Sequence, residues 1–188
     1  NYEGAPNDHY TWYGDNGDFW GDQIGWLEAD LQKAVSERDI RPWIIVGGHR
    51  PIYSVDDCDQ TGIPSGSAAI LQTAVEDLFY QYKIDAYWAG HKHSYERHYP
   101  VYQNNNVDKE SNYVDAKYPV HMINGAAGND EELSRYRDIT GTPWNVLYDV
   151  AHYGFGVLTL NSASSMSWTY YDSATMNVLD TVTFAKTL

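Results

Sequence analysis

The sequence predicts an α/β domain, a short parallel sheet followed by an antiparallel meander. Three observations predict it. Two short apolar runs, Trp43–Gly47 and Ile84–Ala89, flank one amphipathic helical segment. Each run is followed by a Gly-His pair, Gly48-His49 and Gly90-His91. The end of the chain then exchanges helical spacing for alternation.

Residues 1–21 are rich in Gly, Asn, Asp and aromatics, have no regular period, and read as a surface loop. The opening at Asn1 reads as the interior of a loop rather than a translational start. From Asp22, a suitable N-cap, Ile24, Leu27, Leu31 and Ala34 recur on one helical face, with Glu28 and Asp30 opposite. Arg41-Pro42 breaks the chain before Trp43–Gly47, whose unbroken apolarity suits a buried parallel strand. A polar loop, Asp56 to Ser67, leads into a second helix with apolar face Ile70, Leu71, Ala74, Val75, Leu78, Phe79 and Tyr82. Ile84–Ala89 follows as the next strand. Strand, helix and strand make a βαβ unit, whose strands should be parallel and close. Val120–Ile123 is a third strand, ending in the Gly-rich loop Asn124–Asn129. Tyr153–Phe184 alternates, with turn residues at Asn161-Ser162 and Asp172-Ser173, and reads as a three-stranded meander.

The 188 residues suffice for one domain with a sizeable core. A net charge of −14 excludes nucleic acid and anionic membrane as partners of the general surface. A protein this acidic attracts an anionic ligand only locally, as a pair of multivalent cations would. No apolar run reaches the roughly 18 residues of a membrane-spanning helix. Cys58, the only cysteine, reads either as an inert loop thiol or as half of a disulfide whose partner lies outside this sequence.

Ligands of open α/β sheets collect at the carboxyl ends of parallel strands. The βαβ unit therefore carries His49 and His91 to one edge, and His93 follows in Gly90-His91-Lys92-His93. Three imidazoles at a strand-end rim are metal-site chemistry, and the glycines before them permit a sharp turn. His9, His98, His121 and His152, in loops or at strand starts, read as structural.

Val46-Gly47-Gly48-His49, Gly90-His91-Lys92-His93 and the extension Ser94-Tyr95-Glu96-Arg97 resemble elements of the purple acid phosphatases, a family of calcineurin-like metallophosphoesterases. Pro51–Ser54, Gly125–Asn129 and His152–Gly156 look like its later landmarks. The resemblance implies that residues 1–188 form the carboxy-terminal part of a single metallophosphoesterase domain. The implied fold is part of a four-layer αββα sandwich with mixed sheets. It implies Fe(III) plus a divalent Zn, Mn or Fe ion, with His93 on the ferric ion and His49 and His91 on the divalent one. Metal-bound hydroxide would attack a phosphate monoester in acid. Glu96 and Arg97 would form an outer shell. An acid phosphatase of this kind would be secreted or extracellular, or lie in a vacuole or lysosome.

The family's remaining ligands, carried by Gly-Asp-x-Gly, Gly-Asp-x-x-Tyr and Gly-Asn-His-Asp/Glu, have no match here. Gly14-Asp15-Asn16-Gly17 imitates the first in the wrong context. The expected partner is therefore the amino-terminal half of the same enzyme, without which this fragment should be inactive. The loop Val55–Ser67 also lacks the His pair of plant members. Asp56, Asp57 or Asp59 could donate the leaving-group proton there, although they read more simply as solvated loop carboxylates. Two alternatives remain: a non-catalytic extracellular protein reusing the scaffold, and a related enzyme acting on nucleotides or diesters.

Overall fold

A computed structural model describes residues 22–128, 130–138 and 140–188. The expectations for residues 1–21, including His9 and Gly14–Gly17, lie outside the described residues. In chain order the elements are α1 (Gln23–Ser36), β1 (Ile45–Gly48), a 3₁₀ turn (Val55–Asp57), α2 (Gly66–Gln81), β2 (Ala86–Ala89) and β3 (Tyr95–His98). They continue with β4 (Val101–Tyr102), β5 (Asn106–Val107), β6 (Val120–Asn124), β7 (Asn145–Asp149), β8 (Gly154–Ser162), β9 (Ser165–Asp172) and β10 (Val178–Ala185).

Asp22 caps α1 as expected, its Oδ1 accepting the Gly25 N–H at 2.8 Å. Leu31 of α1 and Val75 and Phe79 of α2 pack on Ile44, Tyr87 and Ala89, which covers one face of a five-stranded sheet. The strand order is β1-β2-β6-β3-β7. β1 pairs parallel with β2, and β2 with β6; β3 runs antiparallel between β6 and β7. Four strands thus point one way, and their carboxyl ends share one rim.

The helix–sheet unit matches the expectation, but β1 is an edge strand and Gly47 and Gly48 are exposed. Its apolar run has another cause. Ile44 and Val46 face the helices while Trp43 and Ile45 face the second sheet, so both sides are covered.

The meander β8-β9-β10 packs on the opposite face. Alternation along β2 divides the two cores: Tyr87 and Ala89 join the helix side, and Ala86 and Trp88 the intersheet side. Trp88 stacks on Trp168 at 5.3 Å and Tyr95 on Tyr170 at 3.9 Å. Arg97 grips Asp180 of β10 with Nε at 2.6 Å and Nη2 at 2.9 Å, and the Tyr95 hydroxyl donates to the same carboxylate at 2.7 Å. Helices, mixed sheet and meander make an α/β/β stack. Among the described residues, no helix is long and apolar enough to cross a membrane.

His121 of β6 is 2% exposed, with neither ring nitrogen hydrogen-bonded among the described residues and the rings of Tyr53 and Tyr87 edge-on to it. Burial, with a smaller contribution from His98, holds its pKa well below the ordinary range. The unfolded chain therefore takes up a proton near pH 6.5 that the folded chain refuses. Stability must fall as pH drops below that value, by up to about 1.4 kcal/mol per unit. His121→Phe should flatten this acid-side loss, as urea midpoints compared at pH 7 and pH 5 would show.

Candidate active site

The rim gathers the loops leaving β1, β2, β6 and β7. His49 leaves β1 exposed, and its ring centroid lies 5.0 Å from that of His91, edge to face at 65°. The two loops are joined through the backbone, where Gly90 N–H donates to the His49 carbonyl at 3.0 Å. Arg50 donates from Nη1 to Ser67 Oγ at 2.9 Å and lies 2.8 Å from His91 Nε2. A guanidinium only donates, so Nε2 of His91 accepts from Arg50 here, and a metal ion binding at that nitrogen would have to displace this bond.

The glycines act differently from the expected sharp turn. A Cβ on Gly48 would lie 2.1 Å from the Tyr87 hydroxyl, which passes beneath to donate to the Arg50 carbonyl at 2.6 Å. Gly48 provides room. The turn itself falls on His91, whose φ of +64° is left-handed. Gly125, after β6, also provides room: a Cβ there would lie 1.9 Å from the Lys92 carbonyl.

His93 leaves the same loop toward residues 131–134. Its Nδ1 lies 2.9 Å from the Glu132 carbonyl and its Nε2 3.9 Å from Glu131 Oε2. The three rings are therefore a close pair plus one, and among the described residues no three His, Cys, Asp or Glu side chains converge as a metal cage. Imidazole donors in this arrangement fit part of a two-ion site, with His49 and His91 as one contribution and His93 as another.

Glu96 and Arg97 separate because adjacent strand residues face opposite ways. Arg97 serves the meander through Asp180 and Tyr113. Glu96 is fully buried on the other face and accepts from Ser54 Oγ and Val55 N–H, both at 3.0 Å, and Ser94 Oγ at 3.2 Å. His98 Nε2 lies 3.0 Å away, its ring packed against Trp144. This carboxylate clamps the loop after His49 to the strand after His93.

The Val55–Ser67 carboxylates are tied down too. Asp57 pairs with Lys92 at 2.6 Å, Asp56 accepts from Tyr148 at 3.0 Å, and Asp59 accepts the Thr61 hydroxyl at 2.7 Å. Cys58 is a buried free thiol, and burial pushes its pKa up to about 11. Sequence reasoning passed over two features of the rim: Glu131–Glu132 beside His93, and Asp149, whose Oδ2 lies 2.8 Å from His152 Nδ1. The i, i+3 spacing of the second pair after a strand was its available signal.

A mixed sheet with imidazoles at its strand-end rim suits a metal-dependent hydrolase, and residues 4–95 match the family model "Calcineurin-like phosphoesterase". Residues 118–181 match a second, "Iron/zinc purple acid phosphatase-like protein C". The human acid phosphatase type 7 is 41% identical over 71% of this chain and 32% of its own length. An acid phosphatase of Aspergillus ficuum is 33% identical over 98% of this chain and 32% of its own. The solved purple acid phosphatase from yellow lupin (Lupinus luteus) seeds superimposes with a TM-score of 0.75 at 25% identity, over 91% of this chain and 29% of that one. The chain belongs to the purple acid phosphatase family. It spans about a third of the length of these curated relatives.

Proposed function

We propose that residues 1–188 are the carboxy-terminal part of one metallophosphoesterase domain and supply His49, His91 and His93 to a two-metal site. The remaining ligands would come from the amino-terminal half, in the same chain or a second one. The whole enzyme would hydrolyse phosphate monoesters in acid, in a secreted or vacuolar setting. The observation that supports this most is the 5.0 Å approach of His49 and His91 from the ends of adjacent parallel strands.

Fe(III) and a divalent Zn, Mn or Fe ion, once bound, would supply the positive charge that holds the ester and the means to activate water. The chain's own contribution is position. Arg50 orients the His91 ring through Nε2, Glu96 fixes the loop behind His49, and Lys92 is held by Asp57 between His91 and His93. An imidazole pair needs a rigid floor to keep its spacing, and the Gly90–His49 backbone bond provides it.

The test is metal analysis and ester hydrolysis on a form of the protein as long as its relatives. About two ions per molecule and faster turnover of a monoester than a diester at pH 5 are expected. A folded protein with no ions and no turnover would favour a non-catalytic scaffold. Preference for a diester or nucleotide would favour the related phosphoesterase.

A further inference from the structure

We propose that His152 is the acid that protonates the leaving oxygen, aimed by Asp149 as its positioning residue; this rests on the phosphatase reading above. Topology places the pair on the rim that carries the site. β7 points the same way as β1, β2 and β6, so the chain leaves Asp149 on the same rim as His49 and His91, three strands along from β2 and next to the column that follows His93. Asp149 is the register partner of Tyr95, two residues past His93. One strand spacing, about 5 Å, separates those columns.

The loop is anchored on the catalytic side. Gly154 N–H donates to the Ala126 carbonyl at 2.9 Å, and Ala126 follows Gly125, whose missing Cβ makes room for the Lys92 carbonyl. On the other side Ser173 donates to the Tyr153 carbonyl from N at 2.8 Å and Oγ at 3.0 Å.

Asp149 Oδ1 accepts the N–H groups of Ala151 at 2.8 Å and His152 at 3.2 Å, and Oδ2 lies 2.8 Å from His152 Nδ1. The Asp149 side chain is 15% exposed and the imidazole 44%. With Nδ1 engaged, Nε2 is the nitrogen that remains for substrate. Asp172, bound to Thr175 and the Ala174 N–H, is a second carboxylate whose charge reaches the ring. Acting as the acid requires hydrogen on both ring nitrogens, with Nδ1–H held by Asp149 and Nε2–H left for the leaving oxygen.

The competing groups carry structural bonds or are buried, although one oxygen each of Asp56 and Asp57 has no hydrogen-bond partner among the described residues. Asp56 and Asp57 hold loops together, Asp59 closes its own turn, and His98 and His121 are buried. In the step itself, the attacking oxygen bonds to phosphorus while the P–O bond to the alcohol breaks. The electron pair stays on the leaving oxygen, which takes the Nε2 proton, and water later reprotonates the neutral imidazole.

The experiment compares His152→Gln with wild type, in the long form of the protein, on glycerol phosphate and p-nitrophenyl phosphate. An alkoxide leaves badly without a proton and p-nitrophenolate does not need one. The variant should lose about 10²-fold or more in kcat on glycerol phosphate and less than about 5-fold on the aryl ester. Asp149→Asn should show the same split, more weakly. A readout independent of turnover is the ring ¹⁵N signal of His152, expected to move when inorganic phosphate is added. Equal losses on both esters, or an unmoved signal, would overturn the assignment while leaving the phosphatase reading intact. No hydrolysis of either ester by the wild type would overturn both.

Discussion

Replacing His91 with alanine should remove phosphomonoester hydrolysis and one of the two bound ions together. Outer-shell partners of metal-binding histidines already cost 10- to 100-fold when lost, so a direct ligand should cost at least about 10²-fold in kcat/KM. Alkyl and aryl esters should suffer alike, unlike the His152 variant, because activation of the nucleophile precedes any question of the leaving group. The measurement is metal content alongside turnover in the same preparation. Full metal content with retained turnover would exclude His91 from the site.

Glu96→Ala should cost the fold more than any substitution at the rim. The carboxylate lies at zero exposure, and its loss strips an acceptor from Ser54 Oγ, Val55 N–H, Ser94 Oγ and His98 Nε2 at once. Buried donors left without partners make this a loss of about 3–5 kcal/mol. Glu96→Gln keeps the shape and one acceptor oxygen, and should lose less. Denaturant midpoints give the stability, and limited proteolysis between residues 51 and 58 should report the released loop. An alanine variant within about 1 kcal/mol of wild type would mean that Glu96 is not the clamp described.

The helix–sheet unit was legible because its signals are local. Ile24, Leu27, Leu31 and Ala34 carry the helical period by themselves, and two-sided cover leaves Trp43–Gly47 apolar throughout. The meander was legible from alternation, as Met166, Trp168 and Tyr170 face one core. β3 and β7 were not. In Tyr95-Glu96-Arg97-His98 the buried positions include charged and polar residues, whose partners, Ser54, Asp180 and Trp144, lie far off in sequence. No apolar count finds such a strand. The rim was half legible: Gly48-His49 and Gly90-His91 announce it, whereas Asp149 and His152 reach it only through the reversed direction of β3. The purpose of Gly48 was also hidden, since a close approach by Tyr87 leaves no local trace.

The left-handed backbone of His91 sets backbone ease against the proposed ligand role at a single position. The two residues Gly90 and His91 hold a glycine, yet the glycine is not the one with positive φ. An imidazole kept there costs about 1 kcal/mol that glycine would not. On the proposed reading, glycine or asparagine at this position would give a hardier protein that has lost one metal-binding imidazole.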